Sequence, residues 1–414
     1  MNTFVDKDTG NNHDYGVQVF FPFQNALDFF GKVNVTIYES PPYPVTTTRY
    51  IDFATGKEVA YPAPDREQGL KAVRKLLDLL VEKGYDKMIE PGYWNLPPGD
   101  KIPEDLLLPV KDLVKKYDIE PILSMMYPST GGGAGSRGDF ENLMTLTLLK
   151  SFPPSWIRVF LGDTKKFRVE GGNQKLYDRI SDILGSDVVY DTVVIDSERD
   201  DSGIKLVVEG KNGKKKLIAA KKLLVATHPS RESLKPFGLN DAETKVFSKS
   251  KYGRSHTAIV SHSQLTPGTT LRNIPTSAIQ RPLAPFLQTP FVMSFGSYGN
   301  SSKLFSMGAS GSNYTAFDIP AAQALAQTYL ERMAATGVLP DLKGEKLRFV
   351  AWSDHEYGGY GASPDDMRAG WMADLYALQG KRSTWFTGGG VASDFTTMLW
   401  KYNDDLLSRM VWDM

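Results

Sequence analysis

Acidic, imidazole and phenol side chains stand together in the stretch 352–357, WSDHEY. Histidine titrates near neutral pH, so His355 can act as a general base if its ring faces a substrate. Tyr357, in the same stretch, is the second candidate catalytic residue. A histidine with a purely structural role fits the same pattern. The preceding run, 347–352, predicts a strand that ends before His355 and leaves the histidine in a loop.

A second candidate site is the glycine turn that precedes the C-terminal helix pattern at 385–410. The run 385–387 predicts a short strand, and the three glycines 388–390 allow backbone angles that other residues resist. Ser393 or Asp394 is a typical N-cap, and apolar residues then recur at helical spacing. Free N–H groups at a helix start attract anions, so the pattern predicts an anion site. A helix that packs on a sheet and binds nothing fits it too.

Composition excludes several classes of function. Lys+Arg and Asp+Glu are both 48, so the formal net charge is zero and no whole-chain charge attracts nucleic acid or acidic membranes. The sequence has no cysteine, which excludes disulfides, thiolate nucleophiles and cysteine-ligated metals. The five histidines lack metal-ligand spacing, so no metal site is expected. A G-x-S-x-G elbow is also absent, so hydrolase chemistry lacks its usual nucleophile.

The sequence shows no recognisable signal for secretion or membrane insertion. The N-terminal stretch is polar and lacks the features of a signal peptide, and no apolar run approaches membrane-spanning length. The sequence therefore predicts a cytoplasmic protein without a membrane span. Its aromatic residues can line a pocket for a small apolar substrate, and no nucleic-acid partner is expected. The oligomeric state stays open.

The run 133–138, GAGSRG, fits the dinucleotide fingerprint G-x-G-x-x-G. A strand-like run, 122–127, precedes it. However, 128–130 separates that run from the glycines, and the fingerprint needs its first glycine at the end of the strand. The consecutive glycines beside Ser and Ala are more typical of a flexible loop.

Periodicity predicts helices and strands along the rest of the chain, whose 414 residues suggest two or three domains. Asp65 caps a helix that ends at Gly84. Further helices are predicted from Pro103, with a break or restart at Pro109, and over 140–152, 175–184 and 321–335. Strands are predicted over 16–20, 46–53, 57–61, 188–196, 204–209, 216–227, 257–261, 291–295 and 304–307, with a hairpin turn at Asn212-Gly213.

Four segments, in this order, carry a likeness to a known family. They are TFVDKDTG at 3–10 running into DYGVQVF at 14–20, GGN at 171–173 with the strand at 192–194, AWSDH at 351–355 with LQG at 378–380, and WFTG at 385–388 with LW at 399–400. The chain resembles the flavin amine oxidase superfamily over essentially its whole length. Within it, the chain is most similar to the subgroup of β-cyclopiazonate dehydrogenase and polyunsaturated fatty acid isomerase.

The resemblance implies an FAD-binding site and assigns residues to it. It places Gly16, Val17 and Gln18 along the flavin ring and the backbone of Val193 against the adenine. It places further residues at the pyrophosphate, the ribityl chain or the pyrimidine edge: Gly388, Gly389, Asp394, Phe395 and Thr396.

The resemblance also implies a mixed α/β fold of the amine-oxidase type, with an incomplete Rossmann-type domain, a helical cap and a substrate-domain sheet. The segments 1–60, 165–235 and 370–414 would form the cofactor-type domain. The helical cap would cover 61–164, and the substrate domain 236–369.

The family's N-terminal βαβ unit, with its own G-x-G-x-x-G, would precede Thr3 and is not found in this sequence. Two hypotheses follow. The first is an FAD-dependent oxidoreductase of specialised metabolism that acts on a bulky apolar small molecule. The alternative is a flavin-free cyclase or isomerase, such as a pericyclase, which reuses the flavoenzyme pocket to hold one reactive conformer.

Overall fold

The computed structural model describes residues 1–130, 140–312, 316–360 and 362–412, with backbone only at 129–130, 231, 251–252, 356–360 and 412. The strands are β1 (Thr3–Val5), β2 (Asn12–Asp14), β3 (Ile37–Glu39), β4 (Thr47–Asp52), β5 (Lys57–Glu58), β6 (Phe167–Val169), β7 (Thr192–Asp200), β8 (Gly203–Gly210), β9 (Lys215–Ala220), β10 (Leu223–Val225), β11 (Ser250–Ser261), β12 (Thr269–Asn273), β13 (Phe291–Ser297), β14 (Phe305–Gly311), β15 (Arg348–Tyr360) and β16 (Thr384–Phe386).

The helices alternate with these strands. They are α1 (Asp28–Lys32), α2 (Arg66–Glu82), α3 (Tyr85–Ile89), α4 (Glu104–Leu107), α5 (Val110–Lys116), α6 (Ile122–Thr130), α7 (Thr145–Ser151), α8 (Pro154–Leu161), α9 (Gln174–Leu184), α10 (Arg231–Leu234), α11 (Asp241–Phe247), α12 (Ile319–Ala335), α13 (Pro364–Arg368), α14 (Trp371–Ala377) and α15 (Thr396–Trp412).

In the described part of the chain, seven strands form the largest sheet, in the order β15-β11-β14-β13-β12-β4-β5. β4 runs parallel to β12, and the other neighbours are antiparallel. Helix α12 buries Ala322, Ala326, Leu330 and Met333 in the same core as the apolar side chains of the sheet. These positions recur at helical spacing, so the periodicity that predicted the helix is also what attaches it to the sheet.

Other described strands form smaller sheets. β10 pairs in parallel with β16, whereas β7, β8 and β9 form an antiparallel meander and β3 pairs with β6. Arg199 of β7 donates to Glu243 of α11 at 2.9 Å and to the hydroxyl of Thr384 in β16 at 3.1 Å. The side chains of Arg199 and Glu243 are at most 3% exposed. This buried ion pair therefore fixes the meander against the strand that leads into the glycine turn.

The helical region lies between the hairpin β4–β5 and β6. The carboxylate of Asp65 accepts a hydrogen bond from the backbone of Glu67 at 2.8 Å, and Gly84 adopts a left-handed conformation after the helix. Both ends of α2 are where the sequence predicts them. The predicted break at Pro109 is also present, because α4 ends before it and α5 begins after it.

Local patterns predicted several other elements correctly, and several predictions were wrong. The predicted strand 216–227 is two strands, β9 and β10, which belong to different sheets. Helices α9 and α12 and the hairpin turn at Asn212-Gly213 are confirmed. The run 122–127 belongs to helix α6, not to a strand. The run 16–20 makes a single bridge, Phe20 to Phe167, and the neighbouring strand is the polar β2. The predicted strand at 347–352 continues to 360, so His355 lies within β15, not in a loop.

The mixed α/β class predicted for the fold is confirmed. The proposed division assigns 1–60 to the cofactor-type domain, and β4 and β5 at its end pair with the large sheet formed mostly by 250–360. The G-x-G-x-x-G run at 133–138 lies outside the described residues. Within the described ranges, no α-helix combines the length and apolar character needed to cross a bilayer.

Candidate functional site

The backbone at Gly16 is fixed between the large sheet and the turn that precedes α9. The hydroxyl of Thr257 donates to the carbonyl of Tyr15 at 2.7 Å, and the amide of Asn173 donates to the carbonyl of Val17 at 2.9 Å. Gly16 has a φ of +142°, and a Cβ there would lie 2.8 Å from ring atoms of His355. Glycine is required here for both reasons, because any side chain would displace the histidine.

The imidazole of His355 is therefore in direct contact with the Gly16 backbone. Its Nε2 lies 3.1 Å from the hydroxyl oxygen of Thr257. That hydroxyl has one proton and donates it to Tyr15, so His355 Nε2 must be the donor in this pair. In the neutral ring the acceptor is then Nδ1.

Burial lowers the pKa of His355, and the nearby His256 and the N-terminal amine lower it further, while Asp354 opposes the shift. The ring is consequently neutral at physiological pH, which is the form that accepts a proton. His355 thus retains the properties of the predicted general base. The side chain of the second candidate, Tyr357, lies outside the described residues.

A charged cluster beside His355 was missed from the sequence. Arg254 donates to Asp354 at 2.9 Å, and the buried His256 places Nδ1 3.3 Å from the same carboxylate. Burial opposes ionisation of Asp354, but the Arg254 hydrogen bond and the neighbouring histidines leave its pKa lowered overall. His256 Nε2 lies 3.0 Å from the carbonyl oxygen of Phe317. Only the register of β11 against β15 brings these residues together, and no local sequence signal encodes that register.

The glycine turn lies at the carboxyl ends of the parallel strands β10 and β16, where open α/β sheets bind ligands. Gly388 has a φ of +97°, and a Cβ there would approach the carbonyl oxygen of Ala226 to 3.3 Å. A Cβ on Gly390 would collide with the ring of Pro229. These glycines let the turn pack closely on the segment that follows β10.

The side chains at the turn determine what it can hold. Asp394 pairs with Lys150 at 2.7 Å, and the lysine is completely buried. Ser151 donates to the same carboxylate at 3.0 Å. Helix α15 begins at Thr396, and the hydroxyl of Thr397 is buried with no hydrogen-bond partner among the described residues.

This set of groups fits the flavin half of FAD better than its pyrophosphate. Asp394 accepts hydrogen bonds, as the hydroxyls of a ribityl chain require, and Thr396 and Thr397 can donate or accept. A pyrophosphate would meet the negative charge of Asp394, while the paired cation Lys150 is already neutralised. The fit is therefore to a neutral, hydroxyl-rich segment beside the helix start.

The predicted cofactor contacts form three groups: the segment 16–18, Val193, and the turn and helix start at 388–396. An aromatic contact links the first group to the third. The ring of Phe21, which follows 16–18 along the chain, packs edge-on against Phe395 with centroids 5.3 Å apart. Gln18 is exposed and accepts a hydrogen bond from Tyr43 at 3.1 Å. Val193 lies on the meander and is 63% exposed, and no described ring contact or hydrogen bond joins it to the other two groups.

Comparison with known proteins relates this site to flavoenzymes. The β-cyclopiazonate dehydrogenase of Aspergillus oryzae is 27% identical over 398 residues, covering 96% of this chain and 82% of the relative. An FAD-dependent oxidoreductase of Colletotrichum higginsianum is 25% identical over 412 residues, covering 97% and 83%. No family model matches the chain.

Solved structures share the fold. A fatty acid isomerase from P. acnes superposes with a TM-score of 0.71 at 17% identity, covering 99% of this chain and 89% of that one. Putrescine oxidase bound to putrescine superposes with a TM-score of 0.61 at 16% identity, covering 99% and 90%.

The chain shares the fold of the fatty acid isomerase and of putrescine oxidase, and the predicted resemblance to the flavin amine oxidase superfamily is confirmed. In sequence, the chain is similar to enzymes named FAD-dependent oxidoreductase and dehydrogenase, which supports the predicted enzyme class.

Proposed function

We propose that this protein is an FAD-dependent oxidoreductase of specialised metabolism that acts on a bulky apolar small molecule. The observation that carries the proposal is the similarity to named FAD-dependent oxidoreductases over 96% of the chain. That similarity is joined by a glycine turn and helix start placed at the carboxyl ends of parallel strands. Ligands commonly bind at that edge of parallel strands, which supports a cofactor site at this turn.

Residues on two sides of the site would hold the flavin. The backbone of Gly16, Val17 and Gln18 would lie along the ring, and the helix start at Asp394–Thr396 would hold the ribityl chain. When bound, FAD supplies a hydride acceptor, so it carries the oxidation itself. The adenine contact at Val193 stays a prediction.

The protein's own contribution is orientation and proton transfer. His355 would use Nδ1 to accept a proton from the substrate, with Thr257 fixing the tautomer through Nε2. The contact between the imidazole and Gly16 holds the ring in place while the proton moves. Tyr357 remains a second candidate catalytic residue by position in the sequence.

The test is spectroscopic. The purified chain is examined by visible absorbance, then denatured, and the supernatant is assayed for released flavin. We expect flavin absorbance bands, or their appearance after titration with FAD. A folded protein that binds no FAD even at high concentration would overturn the proposal.

The turn at Asp394 favours one alternative function, a flavin-free cyclase or isomerase. The carboxylate and Lys150 already satisfy each other, so the described side chains at this turn offer a pyrophosphate no unpaired cation. Shape and orientation alone can accelerate a reaction of one bound conformer. A colourless, monomeric protein that unfolds cooperatively and converts a polyene or diene substrate without FAD would support this alternative.

A further inference from the structure

Strand β9 forms the outer edge of the meander and is uncovered on both faces. The sheet order is β7-β8-β9, so β9 pairs with β8, and its other edge meets no strand in the described part of the chain. All six residues of β9 are exposed, and the exposure extends back over the preceding turn to 211. Backbone N–H and C=O groups along this edge are therefore available to pair with another strand.

Two large apolar side chains on β9 are exposed to water. Leu217 is 66% exposed and Ile218 is 38% exposed. Successive residues of a strand point to opposite faces, so each face of this edge carries one large apolar side chain. Ala219 and Ala220 follow them and leave room for the side chains of an added strand. Such a strand would remove both apolar side chains from water.

Lysines flank this apolar pair on both sides. The segment 211–222, KNGKKKLIAAKK, contains six lysines and no acidic residue. Lys211 and Lys215 each lie 3.9 Å from a carboxylate outside the segment. Those carboxylates belong to Asp191 and Glu209. Lys214 and Lys216 form no ion pair within the described ranges, so the edge keeps positive charge that its own neighbours do not compensate.

These features fit one occupant better than two others. A second copy of β9 would bring together two lysine-rich strands that have no carboxylate of their own, and edge lysines oppose such pairing. The interior of a lipid bilayer would cover Leu217 and Ile218 but offers the open backbone groups no hydrogen-bond partner. An extended acidic peptide satisfies the backbone, the apolar pair and the lysines together.

We infer that β9 is a docking edge for an extended, acidic segment of a partner protein, which would extend the three-stranded meander by one strand. Backbone hydrogen bonds along the edge would supply affinity. The order of lysines, apolar residues and lysines would select a segment with apolar residues at its centre and carboxylates at both ends. This interaction is separate from the proposed redox chemistry and does not depend on it.

The test is fluorescence anisotropy of labelled synthetic peptides titrated with the full chain. The acidic probe is EEEVTVVEEE. The basic peptide KKKVTVVKKK keeps the strand propensity and reverses the charge, and EEEVPVVEEE keeps the charge but loses a backbone N–H at its centre. We expect the acidic probe to bind at least about 10-fold more tightly than either of the others, because it alone can pair along the edge and compensate the lysines.

Lys214→Glu/Lys216→Glu should weaken binding of the acidic probe about 10-fold or more, since it turns attraction into repulsion. Lys57→Glu/Lys75→Glu is the matched control. It makes the same change in net charge at two exposed lysines, one on the edge strand β5 and one on α2, so affinity should persist. Circular dichroism checks that both variants fold.

Equal binding of the three peptides, no binding of the acidic probe, or affinity that survives Lys214→Glu/Lys216→Glu would overturn the inference. The other occupants have their own readouts. If the chain dimerises in sedimentation experiments or floats with phosphatidylserine vesicles, and the same double substitution abolishes this, the edge belongs to a second copy or to a lipid surface and the inference is wrong. None of these measurements requires flavin, so their outcome is independent of the absorbance test.

Discussion

The position of His355 depends on a single glycine. The imidazole occupies the space where a side chain on Gly16 would begin, and the two residues are far apart in the sequence. Positive φ and close approach together make this glycine part of the candidate catalytic geometry. The backbone at Gly16 therefore limits where the His355 ring can lie, and the segment 16–18 is also the proposed flavin contact.

Gly16→Ala should destabilise the protein by about 2–4 kcal/mol, through backbone strain and collision with His355. Gly10→Ala is the matched control. That glycine also has a positive φ, +71°, but a Cβ there meets nothing within 4 Å, so a loss of about 1 kcal/mol is expected. Urea unfolding followed by circular dichroism measures both. Equal losses would contradict the proposed contact.

His355→Gln should separate the catalytic from the structural role. The amide can still donate to Thr257, but it lacks the basic nitrogen, so we expect kcat to fall about 100-fold or more while the melting temperature changes little. The measurement is single-turnover flavin reduction at several pH values. Unchanged reduction with the same pH profile would assign His355 a structural role only.

Sequence reasoning found His355 but not its environment. The acidic neighbours of His355 made it a candidate from sequence alone. Gly16 and Thr257, which contact its ring, lie in chain segments that become neighbours only in the folded protein. The cluster of Arg254, Asp354 and His256 was missed for the same reason. Long-range pairing, not local spacing, decides which polar groups become neighbours.

At the scale of elements, local signals worked best for amphipathic helices with clear ends. α2 has an N-cap, an apolar face and a closing glycine, so each boundary has its own physical cause. The run 122–127 was mistaken for a strand because it is short and apolar at every position except Ser124. Its buried residues, Ile122, Leu123, Met126 and Tyr127, share one helix face, but six residues are too few to distinguish that spacing from a buried strand.

The buried pair of Arg199 and Glu243 should be important for anchoring the meander. Arg199→Met leaves the carboxylate with the single cation Arg382, so we expect a loss of about 3 kcal/mol in unfolding free energy. Lys205→Met removes an exposed pair with Glu198 and should cost less than about 1 kcal/mol. Chemical denaturation of both variants measures the difference.

The double variant Arg199→Met/Glu243→Gln tests the cause. Glutamine keeps the hydrogen bond to the backbone of Asn240 and removes the buried charge. It should recover part of the stability lost in the single variant, as coupled residues do. If the double variant loses as much unfolding free energy as the single variants Arg199→Met and Glu243→Gln together, packing and not charge is responsible.

Across the whole molecule, the helical region and the C-terminal helix meet at a cavity that contains Glu90, Trp94 and Arg409. Burial raises the pKa of Glu90 from 4.5 to about 7, against hydrogen bonds from Ser155 that lower it. The guanidinium of Arg409 lies 4.1 Å above the ring of Trp94. A carboxyl group that titrates near neutral pH therefore lies at the contact between two regions.

Stability should consequently depend on pH through Glu90. Its folded-state pKa is raised, so the contribution is fully present below about 4.5 and is lost as pH rises to about 7. Part of the side chain remains accessible, so the expected loss is on the order of 1–2 kcal/mol. Thermal melts of wild type and Glu90→Gln between pH 4.5 and 8 should differ in slope. Parallel curves would contradict the raised pKa.

The resemblance predicted the overall fold because ordered similarity extends over the whole chain. Composition and periodicity alone gave only a mixed α/β protein. The pairing of β4 with the distant β12 could not be derived from composition or periodicity, because the sequence of a strand does not specify which strand it pairs with.

The pairing of β4 with β12 also delays completion of the large sheet while the chain is being synthesised. Residues 47–51 find their parallel partner only about 220 residues later in the chain. At about 5–20 residues per second, a ribosome takes roughly 10–40 s to deliver it. Ile51 and Phe53, fully buried in the finished sheet, must wait uncovered for that interval. We therefore expect the nascent chain to bind holding chaperones during synthesis.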